Sequence, residues 1–106
     1  MTTYLIGRVT VRDAEKLKAY QALVPAIVAQ YGGVFLARGG ATGTLEGPEE
    51  NRRMVIMAFA SRQAAEAFYH SAEYQAAKAL RAGAADIEFV WVDGLPQSVA
   101  APSPAA

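Results

Sequence analysis

Residues 31–40 read Tyr-Gly-Gly-Val-Phe-Leu-Ala-Arg-Gly-Gly. Two glycine pairs bracket a short, β-prone segment. The first pair ends a helix, since glycine accepts the left-handed conformation that a helix C-cap needs. The second pair breaks the strand. Upstream, Leu17, Tyr20, Val24, Ile27, Val28 and Tyr31 recur at helical spacing, which predicts an amphipathic helix over 14–31. Asp13 is its expected N-cap, and Glu15 suits its positive end. Pro25 lies inside and is expected to kink the helix or split it near residue 24. Arg38 stands out as a charge in an otherwise apolar strand, 34–38.

Working outward, residues 4–11 (YLIGRVTV) form a strand, and 53–60 (RMVIMAFA) form the clearest one. Between them, the glycine-rich stretch and Gly47-Pro48-Glu49-Glu50-Asn51-Arg52 make a polar connection. Ser61 caps a helix over 62–70 that turns Ala65, Phe68 and Tyr69 inward. Ser71 caps a further helical turn carrying Tyr74, Ala77, Leu80 and Arg81 on one side, ended by Gly83. Residues 86–93 (DIEFVWVD) are the last strand. The order β-α-β-β-α-β is the ferredoxin-like split arrangement, an α+β subunit with an antiparallel sheet and its helices on one face.

A sheet covered on one face alternates apolar and polar residues. Strand 53–60 does not: Met54, Ile56 and Ala58 lie on one side, Val55, Met57 and Phe59 on the other. In strand 86–93, Ile87, Phe89 and Trp91 oppose Val90 and Val92. Both faces call for burial, and the helices cover one. A second copy of the chain is the expected cover for the other, giving a homodimer.

The chain has 106 residues, 53% of them apolar, with 10 basic and 10 acidic residues and no cysteine. These values describe one globular domain over 1–94 and a Pro/Ala-rich flexible tail over 95–106. Balanced charge gives no footprint for nucleic acid or an anionic membrane. The absence of cysteine excludes disulfides and thiolate chemistry. No signal sequence and no apolar run of roughly 18 residues is seen, so a cytoplasmic location is expected.

The combined pattern Tyr31-Gly32-Gly33-x-Phe35-Leu36-x-Arg38-Gly39-Gly40, Leu45-Glu46-Gly47, Phe68-Tyr69-x-Ser71-x-Glu73-Tyr74-Gln75 and Arg81 resembles the domain of unknown function 1330 family of the dimeric α+β barrel superfamily. The resemblance covers roughly residues 3–94. It implies a ferredoxin-like subunit whose sheet closes against a partner's sheet into a barrel. It brings no established reaction. The wider superfamily includes cofactor-free monooxygenases acting on aromatic polyketides, lactone isomerases, haem-handling enzymes and small stress-responsive proteins, and a fold alone does not choose among them.

Candidate chemistry follows from individual residues. Arg38 and Glu46 flank the glycine-rich stretch. If it doubles back or bulges they face each other near a pocket mouth, either as an anion-binding arginine held by a carboxylate or as a structural ion pair. His70, the only histidine, is a general base, a haem ligand, or an exposed residue at a helix end. Tyr69 and Tyr74 either bind a substrate oxygen or anchor the core with the hydroxyl at its edge. Arg81 shares a helix face with Tyr74. Arg8 is on the side of Tyr4 and Ile6, either inside a barrel or at a sheet edge. Trp91 lines an apolar cavity or belongs to the core. The segment 39–43 superficially resembles a phosphate loop, but no helix and no Lys-Ser/Thr follows it. Scattered carboxylates and one histidine lack metal-ligand spacing, so neither metal nor other cofactor is expected.

Two functions fit. One is a dimer that binds a small apolar organic molecule between sheet and helices and catalyses proton transfer, isomerisation or oxygenation. The other is a non-catalytic, stress-related or ligand-sequestering dimer. Haem handling rests on His70 alone.

Overall fold

The computed structural model describes residues 1–96. Its elements run β1 (Thr3–Val11), α1 (Ala14–Gln30), β2 (Val34–Arg38), β3 (Arg53–Phe59), α2 (Arg62–His70), α3 (Ala72–Leu80) and β4 (Ala85–Asp93). The strands form one antiparallel sheet in the order β2-β3-β1-β4, with the helices on one face. This is the ferredoxin-like arrangement expected from the element order. The last ten residues of the expected tail lie outside the described residues, and Leu95 and Pro96 follow β4 without regular structure.

Local chemistry sets the helix boundaries. The Asp13 side chain accepts from the Lys16 N–H, and Ser61 accepts from Ala64. Ser71 serves two helices: its hydroxyl donates to the Phe68 carbonyl at 2.7 Å and accepts from the Tyr74 N–H at 3.0 Å. One buried oxygen thus closes α2 and opens α3. The Gln75 side chain donates to the Tyr69 carbonyl, satisfying another group at the end of α2. Pro25 does not split α1, which runs unbroken from Ala14 to Gln30.

Strand register assigns the two faces. On the helix face, Leu5 aligns with Met57 and Trp91, Gly7 with Val55 and Phe89, and Val9 with Arg53 and Ile87. With Leu17, Val24, Val28, Ala65, Phe68, Tyr74 and Ala77 from the helices, this face builds the core. The opposite face carries Tyr4 between Ala58 and Val92, and Ile6 between Ile56 and Val90. No described element covers it. The body is 17 Å in its shortest dimension, a single sheet and a single helix layer. Val34, Val90 and Val92 on this open face are 56%, 49% and 50% exposed. Leu80, grouped on one side of α3 with Tyr74, Ala77 and Arg81 in the sequence pattern, is exposed while those three are buried.

A β-bulge lies in β2. Phe35 aligns with Met57, but Ala37 aligns with Ile56 and Arg38 with Val55. Leu36 is therefore the extra residue. Strict alternation from Phe35 would put Arg38 on the open face; the bulge returns it to the helix face.

Candidate functional site

Two cavities open on the helix face, one on either side of Phe89. The larger, about 320 Å³, is a cleft between α2 and the edge strand β4. Its apolar wall is Leu5, Ile87, Phe89, Val90 and Trp91, and its other wall is Ala65, Glu66, Tyr69 and His70. The smaller, about 40 Å³, lies under α1 between Leu17, Tyr20, Val24, Phe35 and Val55, with Gln21, Arg38 and Arg53 as its polar lining. Ile87 and Phe89 line both.

Helical spacing builds one wall of the cleft. Ala65 and Tyr69, and Glu66 and His70, are four apart, so both pairs stack on the same face of α2. Ala65 is small and leaves space. The period of two along β4 supplies Ile87, Phe89 and Trp91 opposite. Gly7 seats Phe89: a Cβ on residue 7 would lie 2.6 Å from the Phe89 Cε1. Phe89 then meets Tyr69 edge-on, with ring centroids 6.1 Å apart. Along the rim, the Arg62 guanidinium covers the Trp91 ring at 4.7 Å and its Nε donates to Glu66 Oε2 at 3.4 Å. Lys78 Nζ donates to the Tyr69 hydroxyl at 3.0 Å. His70 ends α2, is exposed, and rests edge-on against Tyr69. The result is an aromatic slot with a carboxylate and an imidazole one turn apart on one side.

Of the residues singled out from sequence, Tyr69, His70 and Trp91 come together in this cleft. Arg38 lines the other cavity. It does not meet Glu46: its Nη2 donates to the Gln21 carbonyl at 2.8 Å and its guanidinium lies 4.8 Å from the Phe35 ring centre. The bulge explains the separation, since it turns Arg38 to the helix face while Glu46 lines a groove with the open-face residues Arg8 and Met54. Arg8 itself lies 3.5 Å from Glu50 on the open face.

Tyr74 is a correction. It has no exposed surface, so it is a core residue and touches no ligand in this arrangement. Its hydroxyl is 2.7 Å from that of Tyr20, and Arg81 Nη2 donates to it at 3.4 Å. Burial, and next the neighbouring Tyr74, push the Tyr20 phenol well above its ordinary pKa, with Arg81 opposing. Arg81 is itself buried, so it too is withdrawn from a substrate-binding role. The physical reason is the Ser71 junction: it turns the first residues of α3 toward the core, carrying Tyr74 inward.

Sequence reasoning missed Glu66, Arg62 and Arg53. The signal for Glu66 was its spacing of four from His70. Nothing in the sequence pointed to Arg53, whose place depends on strand register. Among the described residues no group of His, Cys, Asp and Glu is placed to hold a metal ion. No described helix is long and apolar enough to cross a membrane.

The family model described as "Domain of unknown function (DUF1330)" matches residues 2–95. The chain belongs to this family. Much of the pattern that marks the DUF1330 resemblance is helix-junction chemistry: the Tyr31 hydroxyl donates to Glu73 Oε1 at 3.1 Å, Ser71 bridges α2 and α3, and Gln75 caps α2. No curated protein matches the chain. Among solved structures, it is similar to the RPA0582 protein of unknown function from Rhodopseudomonas palustris, with TM-score 0.71 and 22% identity over 90% of this chain and 83% of that one. It is similar to SnoaB, a cofactor-independent oxygenase from Streptomyces nogalater, with TM-score 0.64 and 15% identity over 91% and 95%. It is also similar to a dimeric ferredoxin-like protein of unknown function from Bacteroides fragilis, with TM-score 0.59 and 14% identity over 88% and 96%. At these identities the likeness shows the ferredoxin-like fold.

Proposed function

We propose that this DUF1330 protein is a homodimer that binds a planar, largely apolar organic molecule in the α2–β4 cleft of each subunit and moves a proton on it without a cofactor. The observation that carries the reading is an unfilled cleft of about 320 Å³ whose aromatic wall faces Glu66 and His70. A ligand carbonyl beside an acidic C–H suits this arrangement. His70 takes the proton from carbon, and the electron pair moves onto the carbonyl oxygen as an enolate. Return of the proton to a different carbon isomerises the ligand. The apolar wall keeps water from the anion. An electron-rich enolate is also the species that molecular oxygen attacks, and the likeness to SnoaB, an oxygenase that needs no cofactor, makes this a further use of the same step. The dimer is supported by the uncovered apolar sheet face and by the dimeric ferredoxin-like neighbour.

One observation favours a second reading, a dimer that only sequesters its ligand. His70 is exposed and has no carboxylate hydrogen bond among the described residues, whereas a catalytic base is usually oriented by a third group. The two readings separate with 2-tetralone, a flat ketone with an acidic C–H. Trp91 is the only tryptophan, so its fluorescence reports cleft occupancy directly. Saturable quenching with accelerated exchange of the ketone's C–H in D₂O, lost about tenfold or more in His70→Ala, is expected. Quenching without exchange selects sequestration. No quenching removes the cleft as a binding site.

A further inference from the structure

Phe89 lines both the α2–β4 cleft and the smaller pocket under α1. We infer that it is a movable partition, and that the two cavities are halves of one channel for an elongated amphipathic acid, with a ring system in the cleft and a carboxylate on Arg38 and Arg53. This rests on the cleft being a ligand site, and names the class of ligand.

Charge is the first argument. Among the described residues, Arg8, Arg12, Arg52 and Arg62 each have a carboxylate within ion-pair distance. Arg81 is buried against Tyr74. Arg38 and Arg53 remain, line the same pocket, and face no acid there. Two uncompensated guanidiniums beside an apolar floor suit a carboxylate, which the planar fork binds through paired hydrogen bonds.

The backbone is shaped to put them there. The bulge at Leu36 turns Arg38 onto the helix face. Gly39, with φ of +73°, is required for the turn, and the Arg53 guanidinium packs over it where a side chain would begin.

Phe89 is half-buried and meets Tyr69 and Tyr74 edge-on, at 6.1 Å and 6.5 Å. Its ring lies close on Gly7 and borders the α2–β4 cleft, which is the space it can turn into. Turning Phe89 aside joins the cavities across the sheet from β4 to β2. That span is three strand spacings, about 14 Å, long enough for two or three fused rings or for one ring system and a short chain ending in an acid.

The test compares 4-(2-naphthyl)butanoate, its methyl ester and 2-tetralone by Trp91 fluorescence. Wild type is expected to bind the acid at least about tenfold tighter than the ester. Arg53→Met, which removes a guanidinium that bonds no backbone group among the described residues, is expected to erase that preference and leave the ester unchanged. Arg38→Met is expected to do likewise. Phe89→Ala, which removes the partition and keeps Trp91 as the only reporter, is expected to tighten the acid several-fold relative to 2-tetralone. If 2-tetralone binds but acid and ester are equal in wild type, or the preference survives in both arginine variants, the channel is overturned and the cleft stands. If no probe quenches Trp91, both the cleft and the channel fall.

Discussion

Arg38 donates from Nη2 to the carbonyl of Gln21 at 2.8 Å, and so supplies the hydrogen that Pro25 lacks. In an uninterrupted helix the Gln21 carbonyl accepts from the N–H of residue 25. Proline has none, and its ring crowds that carbonyl. A side chain from β2 fills the vacancy, and the helix continues through Pro25 to Gln30. The Arg38 of the family pattern therefore has a structural task beside any ligand. The two-residue account makes a double-mutant prediction. Arg38→Met is expected to cost about 1–2 kcal/mol in urea denaturation, the range for a charge-assisted bond at a partly wet site. In a Pro25→Ala background residue 25 regains its N–H, and the same substitution is expected to cost less than about half as much. Equal losses in both backgrounds would remove the Pro25 link.

Gly7 is required by Phe89 rather than by any turn. An alanine Cβ at residue 7 would sit 2.6 Å from the ring, so Phe89 must shift. Gly7→Ala is expected to destabilise by about 1–3 kcal/mol, as overpacking does. With Phe89→Ala beneath it, the clash is gone. Alanine is then better than glycine in a strand by roughly 0.5–1 kcal/mol. The effect of Gly7→Ala should thus change sign between the two backgrounds. Thermal midpoints of the four proteins decide this, and a loss of similar size in both would show that Phe89 is not the obstacle.

The Tyr20–Tyr74 pair predicts alkaline behaviour. Burial and the adjacent Tyr74 raise the Tyr20 pKa from its ordinary 10.0. A raised pKa in the folded state means that the unfolded chain releases this proton first. The stabilisation is therefore complete below about pH 10 and is lost as pH rises above it. Tyr20→Phe leaves the Tyr74 hydroxyl with only the longer Arg81 bond, at a cost of about 1–3 kcal/mol near neutrality. It is also expected to flatten the fall in stability between about pH 9 and 11, read as urea midpoints. A fall as steep as in wild type would contradict the buried phenol.

Glu73 works at the other end of the pH scale. Its own backbone N–H, then Tyr31 and Gln30, hold its carboxyl below the ordinary 4.5. A depressed pKa contributes stability that is present above that value and fades as pH falls through the folded one. Glu73→Ala is expected to lower the urea midpoint at pH 7, and the gap to wild type is expected to narrow by about pH 3. A gap independent of pH would mean that packing, not the carboxylate, joins α1 to α3.

The element order was legible because each boundary has a local chemical cause. Asp13, Ser61 and Ser71 cap helices wherever they are placed, and the two-sided strand 53–60 announces a sheet with two faces to bury. The cleft was legible in part: Tyr69 and His70 adjoin on one helix, and Trp91 follows strand alternation. Arg38 was misplaced relative to Glu46 because a bulge reverses alternation, and Leu36 carries no sequence mark of being the extra residue. Tyr74 looked like Tyr69, an aromatic beside the Ser71 cap. What separates them is the direction in which α3 leaves that cap, and this depends on packing against Tyr20 on a distant helix.

The open sheet face supports the last prediction. Ile6 sits at its centre, aligned with Ile56 on one side and Val90 on the other. At one end the apolar patch gives way to charges: Arg8 lies beside Glu50, and Arg52 bridges Glu50 and Glu88. An apolar centre with a charged margin is the anatomy of a protein interface. A carboxylate at residue 6 would be buried without a partner there, which costs several kcal/mol and is paid by dissociation rather than unfolding, because Ile6 points away from the subunit's own core. Ile6→Glu is therefore expected to halve the mass seen by light scattering, from twice 11.2 kDa to 11.2 kDa, while far-UV circular dichroism is retained. Wild type and variant of equal mass at micromolar concentration would mean that a second copy does not cover this face.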